Sequence, residues 1–112
     1  MIAQWDETVA QGERVTRDIW FEDESGSILP LDGVALGAQV RLVADGDVIA
    51  TWAFSDPVDD VVVASLDESA TLDIPPGVYH LDLWRRTDAD GPQRIAGGTL
   101  TVEARYTHME DL

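Results

Sequence analysis

His80 and His108 are the only imidazoles in the sequence, and they stand far apart in the chain. A general base works only against a nucleophile or acid held beside it. No serine sits in a nucleophile-elbow context, and no glycine loop precedes a helix. There is no cysteine, which removes thiolate nucleophiles, thiolate zinc sites and disulfides together. Carboxylates are abundant, yet nothing in their spacing singles out a pair for glycoside hydrolysis. Asp88-x-Asp90-Gly91 mimics the opening of a calcium loop, with Asp59-Asp60 or Asp45/Asp47 as further oxygens. The downstream bidentate glutamate is missing, and Gly91-Pro92 turns the chain where more ligands are needed. An Asp-Gly pair is also the default hairpin turn. The expectation is a chain that is not an enzyme, with no catalytic residues, no metal and no cofactor.

Recognition chemistry is better represented. Trp20 lies on the polar parity of its strand, opposite Ile19 and Phe21, and Trp84 lies likewise opposite Leu81 and Leu83. A large aromatic on the solvent side anchors a protein partner or a sugar, because it desolvates much area at low entropy cost. The bland alternative is a covering loop, arm or second sheet. Trp52, in line with Val48, Ala50 and Phe54, is expected in the core. Trp5 sits on a terminal arm, where exchange between subunits is a use for it. His80, between Tyr79 and Leu81, reads as a surface or interface residue, and Tyr106 and Met109 give the C-terminal tail its anchors.

The elements that position these residues are strands. Ile74-Pro75-Pro76-Gly77-Val78-Tyr79 is a double-proline stop, a glycine turn and the start of an alternating strand. Tyr79, Leu81 and Leu83 share one face, and His80, Asp82 and Trp84 the other. A tyrosine just inside a strand after such a corner buries its ring and returns its hydroxyl to the loop, as in the tyrosine corner of immunoglobulin-like sandwiches. Val15 to Phe21 alternates, and Asp23-Glu24-Ser25-Gly26-Ser27 turns it toward a short return strand over residues 28–33. Leu36, Ala38, Val40, Leu42 and Ala44 alternate up to Asp45-Gly46-Asp47, and a single run continues through Phe54. Val61-Val62-Val63-Ala64 reads as a buried strand. Residues 66–72 form one helical turn capped by Asp67 or Ser65. The last strand covers 93–104, where Gly97-Gly98 marks a bulge or a close backbone approach. Together these predict an all-β fold, an immunoglobulin-like antiparallel β-sandwich of about seven strands. Residues 1–11 are an N-terminal arm or edge strand, 12–104 the sandwich and 105–112 a C-terminal tail.

Composition narrows the partners. The 112 residues suit one domain with a core that needs no staples. The formal charge is −15 and every basic residue is arginine, so duplex phosphates should repel the chain and no direct nucleic-acid binding is expected. No apolar stretch reaches the ~20 residues that cross a bilayer, and the first residues lack a signal peptide's pattern. The expectation is a soluble protein, cytosolic when made, with no membrane partner.

Gln11-Gly12-Glu13 leads a strand, followed by Leu31-Asp32-Gly33, Ala38-Gln39-Val40-Arg41-Leu42 and Asp47-Val48-Ile49. Pro76-Gly77-Val78-Tyr79 and Gly98-Thr99-Leu100-Thr101-Val102 complete the order. In this order the chain resembles the small immunoglobulin-like domains of tailed-phage virion proteins, such as the N-terminal domain of baseplate upper proteins. Similar domains occur in gene transfer agents. The resemblance spans roughly residues 11 to 104 and brings no catalytic residues. It implies a structural or assembly protein of a tailed phage or phage-like particle, docking on other virion proteins (portal, tail, baseplate or capsid) or on itself in a ring. Such a protein stands in the host cytoplasm during assembly and then in the particle. Baseplate upper proteins continue into receptor-carrying regions, which this sequence lacks, and that favours an accessory protein of tail, neck or capsid. The alternative, from the residues alone, is a carbohydrate- or ligand-binding module that uses the exposed tryptophans.

Overall fold

The computed structural model describes residues 3–43 and 46–106. Among the described residues nine strands and one short helix follow in order: β1 (Ala3–Gln4), β2 (Glu7–Ala10), β3 (Val15–Ile19), β4 (Ala35–Arg41) and β5 (Val48–Thr51). Next come β6 (Ala53–Phe54), β7 (Val62–Leu66), α1 (Glu68–Leu72), β8 (Gly77–Thr87) and β9 (Gly91–Glu103). One sheet runs β1-β9-β8-β4-β5, with β2 also on β9, and the other runs β3-β7-β6. The chain passes between sheets after β2, β3, β5 and β7, so the two layers share one core. This is an all-β immunoglobulin-like sandwich, with β5 extending the larger sheet as the extra strand of variable-type domains does.

The core is the set of side chains that alternation turns inward. Ala38 and Val40 from β4, Tyr79, Leu81 and Leu83 from β8, and Ala96, Leu100 and Val102 from β9 face Val62, Ala64 and Leu66 from β7. The expected tyrosine corner is present: the Tyr79 hydroxyl donates to the Pro75 carbonyl at 2.6 Å while its ring is buried. Replacing Tyr79 with Phe keeps the ring and removes the bond, which should lower stability by about 1 kcal/mol in urea unfolding. A loss below about 0.3 kcal/mol would show that the hydroxyl's water bonds replace it without penalty.

The helical turn also forms. The Asp67 carboxylate accepts from the Ala70 backbone N–H at 2.8 Å and the Ser69 hydroxyl at 2.9 Å, and these two donors hold its pKa below the usual carboxylate value. The Thr71 hydroxyl, fully buried, donates to the Glu13 carbonyl and accepts from the Gly12 N–H, tying the helix to the β2–β3 turn.

Two expected elements differ. The return strand over 28–33 reduces to one bridge, Glu22 to Ile28, because Pro30 cannot donate to a ladder. The run from Val48 to Phe54 is two strands in different sheets. Trp52 stands at the crossing, its backbone N–H donating to the Ala38 carbonyl and the residue only 3% exposed, with Val48 left at the surface.

The N-terminal segment is an edge strand, paired parallel to β9 with one continuous register: Ala3 faces Ala96 and Glu7 faces Leu100. Between β1 and β2 the ladder is interrupted. The Asp6 carboxylate accepts from the Thr99 N–H at 2.9 Å and from the Thr99 hydroxyl at 3.1 Å. The bend drives the Trp5 ring inward, where it packs on Trp52 with ring centroids 4.9 Å apart. This corrects the reading of Trp5 as an exchangeable arm residue: it is 8% exposed, and its Nε1–H donates to Glu7 at 3.0 Å. Gly97-Gly98 marks a close backbone approach, with Trp5 lying directly over Gly98. The bulge falls at Ile95 instead, where Leu83 faces Ala96 but Trp84 faces Arg94.

Candidate functional site: the outer face of the larger sheet

Register sets which side chains meet on this face. Gly37, Trp84 and Arg94 lie side by side across β4, β8 and β9. The next row is Gln39, Asp82 and Gly97, and the one after it is Arg41, His80 and Thr99. Arg86, facing Ala35, ends the face above Trp84. Three of the chain's seven arginines, Arg41, Arg86 and Arg94, therefore project from one sheet face of a protein with 22 carboxylates. Coulomb attraction between exposed charges fades over a Debye length of about 8 Å at physiological salt, so such local clustering governs contact more than the net charge does.

Trp84 is 42% exposed, as its parity predicts. Its neighbour on β4 is Gly37, beside which the space for a Cβ is open, so no side chain covers the ring from that strand. The indole Nε1–H donates to Asp82 at 3.0 Å, which fixes the ring over the sheet. Arg41 donates to Gln39 Oε1 at 2.9 Å and to the Gly46 carbonyl. The result is a depression of about 370 Å³ with Trp84 on one side, Arg41 and Thr51 on the other, and Gln39 and Asp82 between.

The other expected anchors are dispersed. His80 shares the face, exposed, four residues before Trp84 on the same strand. Trp20 is 47% exposed but lies away from this face, just beyond β3, with its Nε1–H on Glu22 at 2.9 Å. Tyr106 is 93% exposed at the end of the described chain, and Met109 lies outside the described residues, as does His108. Trp5 is in the core.

Among the described residues no three or more His, Asp or Glu side chains gather to hold a cation. Of the aspartates that could offer oxygens to calcium, Asp45 lies outside the described residues and Asp60 holds a loop. Asp60, in left-handed backbone at φ 61°, accepts from the Leu31 N–H at 3.0 Å. The residues from Asp88 to Asp90 form the β8–β9 turn, where the Asp90 N–H donates to the Thr87 hydroxyl. The arginine cluster went unread in the sequence although its signal was there. Arg41 and Arg86 fall on the polar parity of strands whose other face is apolar. Arg94 needed the bulge at Ile95 to be known.

No protein-family model matches the chain, and no curated protein matches it. Among solved structures it is similar to a family 123 glycoside hydrolase from Clostridium perfringens, at 10% identity and a TM-score of 0.49. That likeness covers 97% of this chain and 24% of the hydrolase, so the chain spans about a quarter of that protein. It is also similar to murine CRIg, at 12% identity and a TM-score of 0.44, over 90% of this chain and 92% of that one. Likenesses at these levels carry no functional argument, and the sandwich assignment stands on strand order and the tyrosine corner.

Proposed function

We propose that this domain is a non-catalytic docking module whose larger-sheet outer face binds a protein partner, and that it serves in the assembly of a tailed phage or phage-like particle. The observation that carries the docking reading is Trp84, half-exposed beside Gly37 and next to Arg94, on the face that also holds Arg41 and Arg86. An exposed aromatic among arginines is the composition of interface hot spots, where Trp and Arg are enriched. The partner surface it suits is acidic at the rim, with an apolar socket for the indole. The particle setting rests on the sequence resemblance alone.

A second reading, a saccharide platform, is favoured by one observation. Gln39 and Asp82 stand beside the Trp84 ring in the same depression, so a sugar stacked on the indole would find an amide and a carboxylate at its hydroxyls.

The test is Trp84→Ala in the source organism, followed by peptide mass spectrometry of density-purified particles. The proposal expects the parent protein at a fixed copy number, and the variant depleted about tenfold or more, the scale of one hot-spot residue. Its melting temperature should stay near the parent's, because exposed substitutions usually move stability by no more than about 0.5 kcal/mol. Absence of the parent from particles removes the assembly reading. A saturable change in tryptophan fluorescence with a polysaccharide, lost in Trp84→Ala, would put the saccharide platform in its place.

A further inference from the structure

The sandwich is open along one side. β3 is the edge of the smaller sheet: it pairs with β7, and among the described residues no strand lies on its other edge. The β1–β2 segment, which borders the same opening, belongs wholly to the larger sheet through β9. Between them runs a groove of about 390 Å³ whose floor is Trp5, Ile19, Leu83 and Ala96. These are core residues, so the groove leads directly to the apolar interior. Trp20 forms part of its wall, held by the bond from its indole to Glu22.

Three features of the groove specify what would fill it. An unpaired strand edge offers main-chain donors and acceptors at strand spacing, which an extended peptide satisfies. The apolar floor below that edge takes a side chain pointing inward from such a peptide, and every second residue of a strand points that way. The wall charges are acidic on balance. Arg17 is committed to Glu7 through their ion pair, whereas among the described residues Asp6 and Asp18 have no cationic partner. Hydrogen bonds from Gln4 and Thr99 favour the ionised form of Asp6.

We propose that this groove receives an extended segment of a different protein, added as a strand to the free edge of β3, with an apolar side chain seated on Leu83 and Ala96 and basic residues flanking it. A second copy of the chain is a poor donor. It has no lysine, and its one Arg-Arg pair lies inside β8, already laddered on both sides. The groove lies on the inner side of the sheet that carries Trp84, so this proposal and the docking reading stand or fall separately.

The probe is a synthetic pool of acetylated heptapeptides, Lys-X-Thr-X-Thr-X-Lys with X drawn from Val, Ile, Leu and Phe, titrated into the ¹⁵N-labelled chain. The expected result is saturable shifts of the Arg17–Ile19 amides and the Trp20 indole, with a midpoint on the order of 1 mM or tighter. A pool N-methylated at alternate residues in one phase should lose binding, and the opposite phase should keep it, since only one edge of the added strand faces β3. Trp20→Ala and Asp18→Lys change exposed side chains and should each weaken the midpoint about fivefold or more while leaving the circular dichroism unchanged. No shift at β3 up to about 5 mM, far above the ~1 mM midpoint, overturns the proposal. So does equal binding of a pool with Glu in place of Lys, indifference to N-methylation in both phases, or shifts centred on Trp84.

Discussion

Gly98→Ala should destabilise the domain by roughly 2–4 kcal/mol in urea unfolding, whereas Gly97→Ala, one residue away, should change it by less than about 0.5 kcal/mol. A Cβ on Gly98 would stand 2.0 Å from the Trp5 carbonyl oxygen, 2.6 Å from Asp6 Oδ1 and 2.7 Å from the Trp5 carbonyl carbon. Two of these atoms are backbone, and they belong to the bend that carries Trp5 into the core, so no side-chain rotation relieves the clash. The edge segment must lift from β9. Lifting it withdraws the Trp5 ring from Trp52 and the Asp6 carboxylate from Thr99. Gly97 has nothing within 4 Å of the same atom, and alanine in a strand interior loses less backbone entropy than glycine. Equal costs at the two positions would show that the edge strand is not held down at Gly98. Hydrogen exchange adds a local readout: the Thr99 amide should lose protection in Gly98→Ala and keep it in Gly97→Ala.

That pair of glycines shows what kind of information a sequence holds. Two glycines inside an otherwise regular strand announce that another backbone comes close, but not which one. The visitor is Trp5, more than ninety residues earlier in the chain, and a parallel edge pairing leaves no local trace. Trp5 consequently looked like an arm residue. Features decided within a few residues were legible: the tyrosine corner from Pro-Pro-Gly-x-Tyr, the Asp67 cap, and the outward parity of Trp20 and Trp84. Features decided by sheet membership were not. Alternation from Val48 to Phe54 is unbroken in the sequence, although β5 and β6 belong to opposite layers. The arginine face falls between these cases, because parity identifies Arg41 and Arg86 strand by strand while only the ladder shows that they share a surface with Trp84.

The Trp5–Trp52 pair in the core gives the second large effect. Trp5→Ala and Trp52→Ala should each cost about 3–5 kcal/mol, the range for deleting a buried aromatic, against a total of about 5–15 kcal/mol for a domain. Either variant should populate unfolded chain at temperatures where the parent is fully folded. The more discriminating experiment is Trp→Phe at each position, since the two indoles differ in one respect. Trp5 Nε1–H donates to Glu7, which also takes Arg17, so phenylalanine there removes volume and one charge-assisted bond at once. Trp52 Nε1 is buried with no acceptor among the described residues. A buried indole N–H that gains no acceptor on folding loses about 1–3 kcal/mol, which phenylalanine does not incur. Trp52→Phe should therefore be cheaper than Trp5→Phe by about 1–3 kcal/mol, although both lose a similar volume. Parallel urea titrations of the two variants decide it. A Trp52→Phe cost equal to or above that of Trp5→Phe would mean that the Trp52 indole N–H has an acceptor in solution, most simply an ordered water.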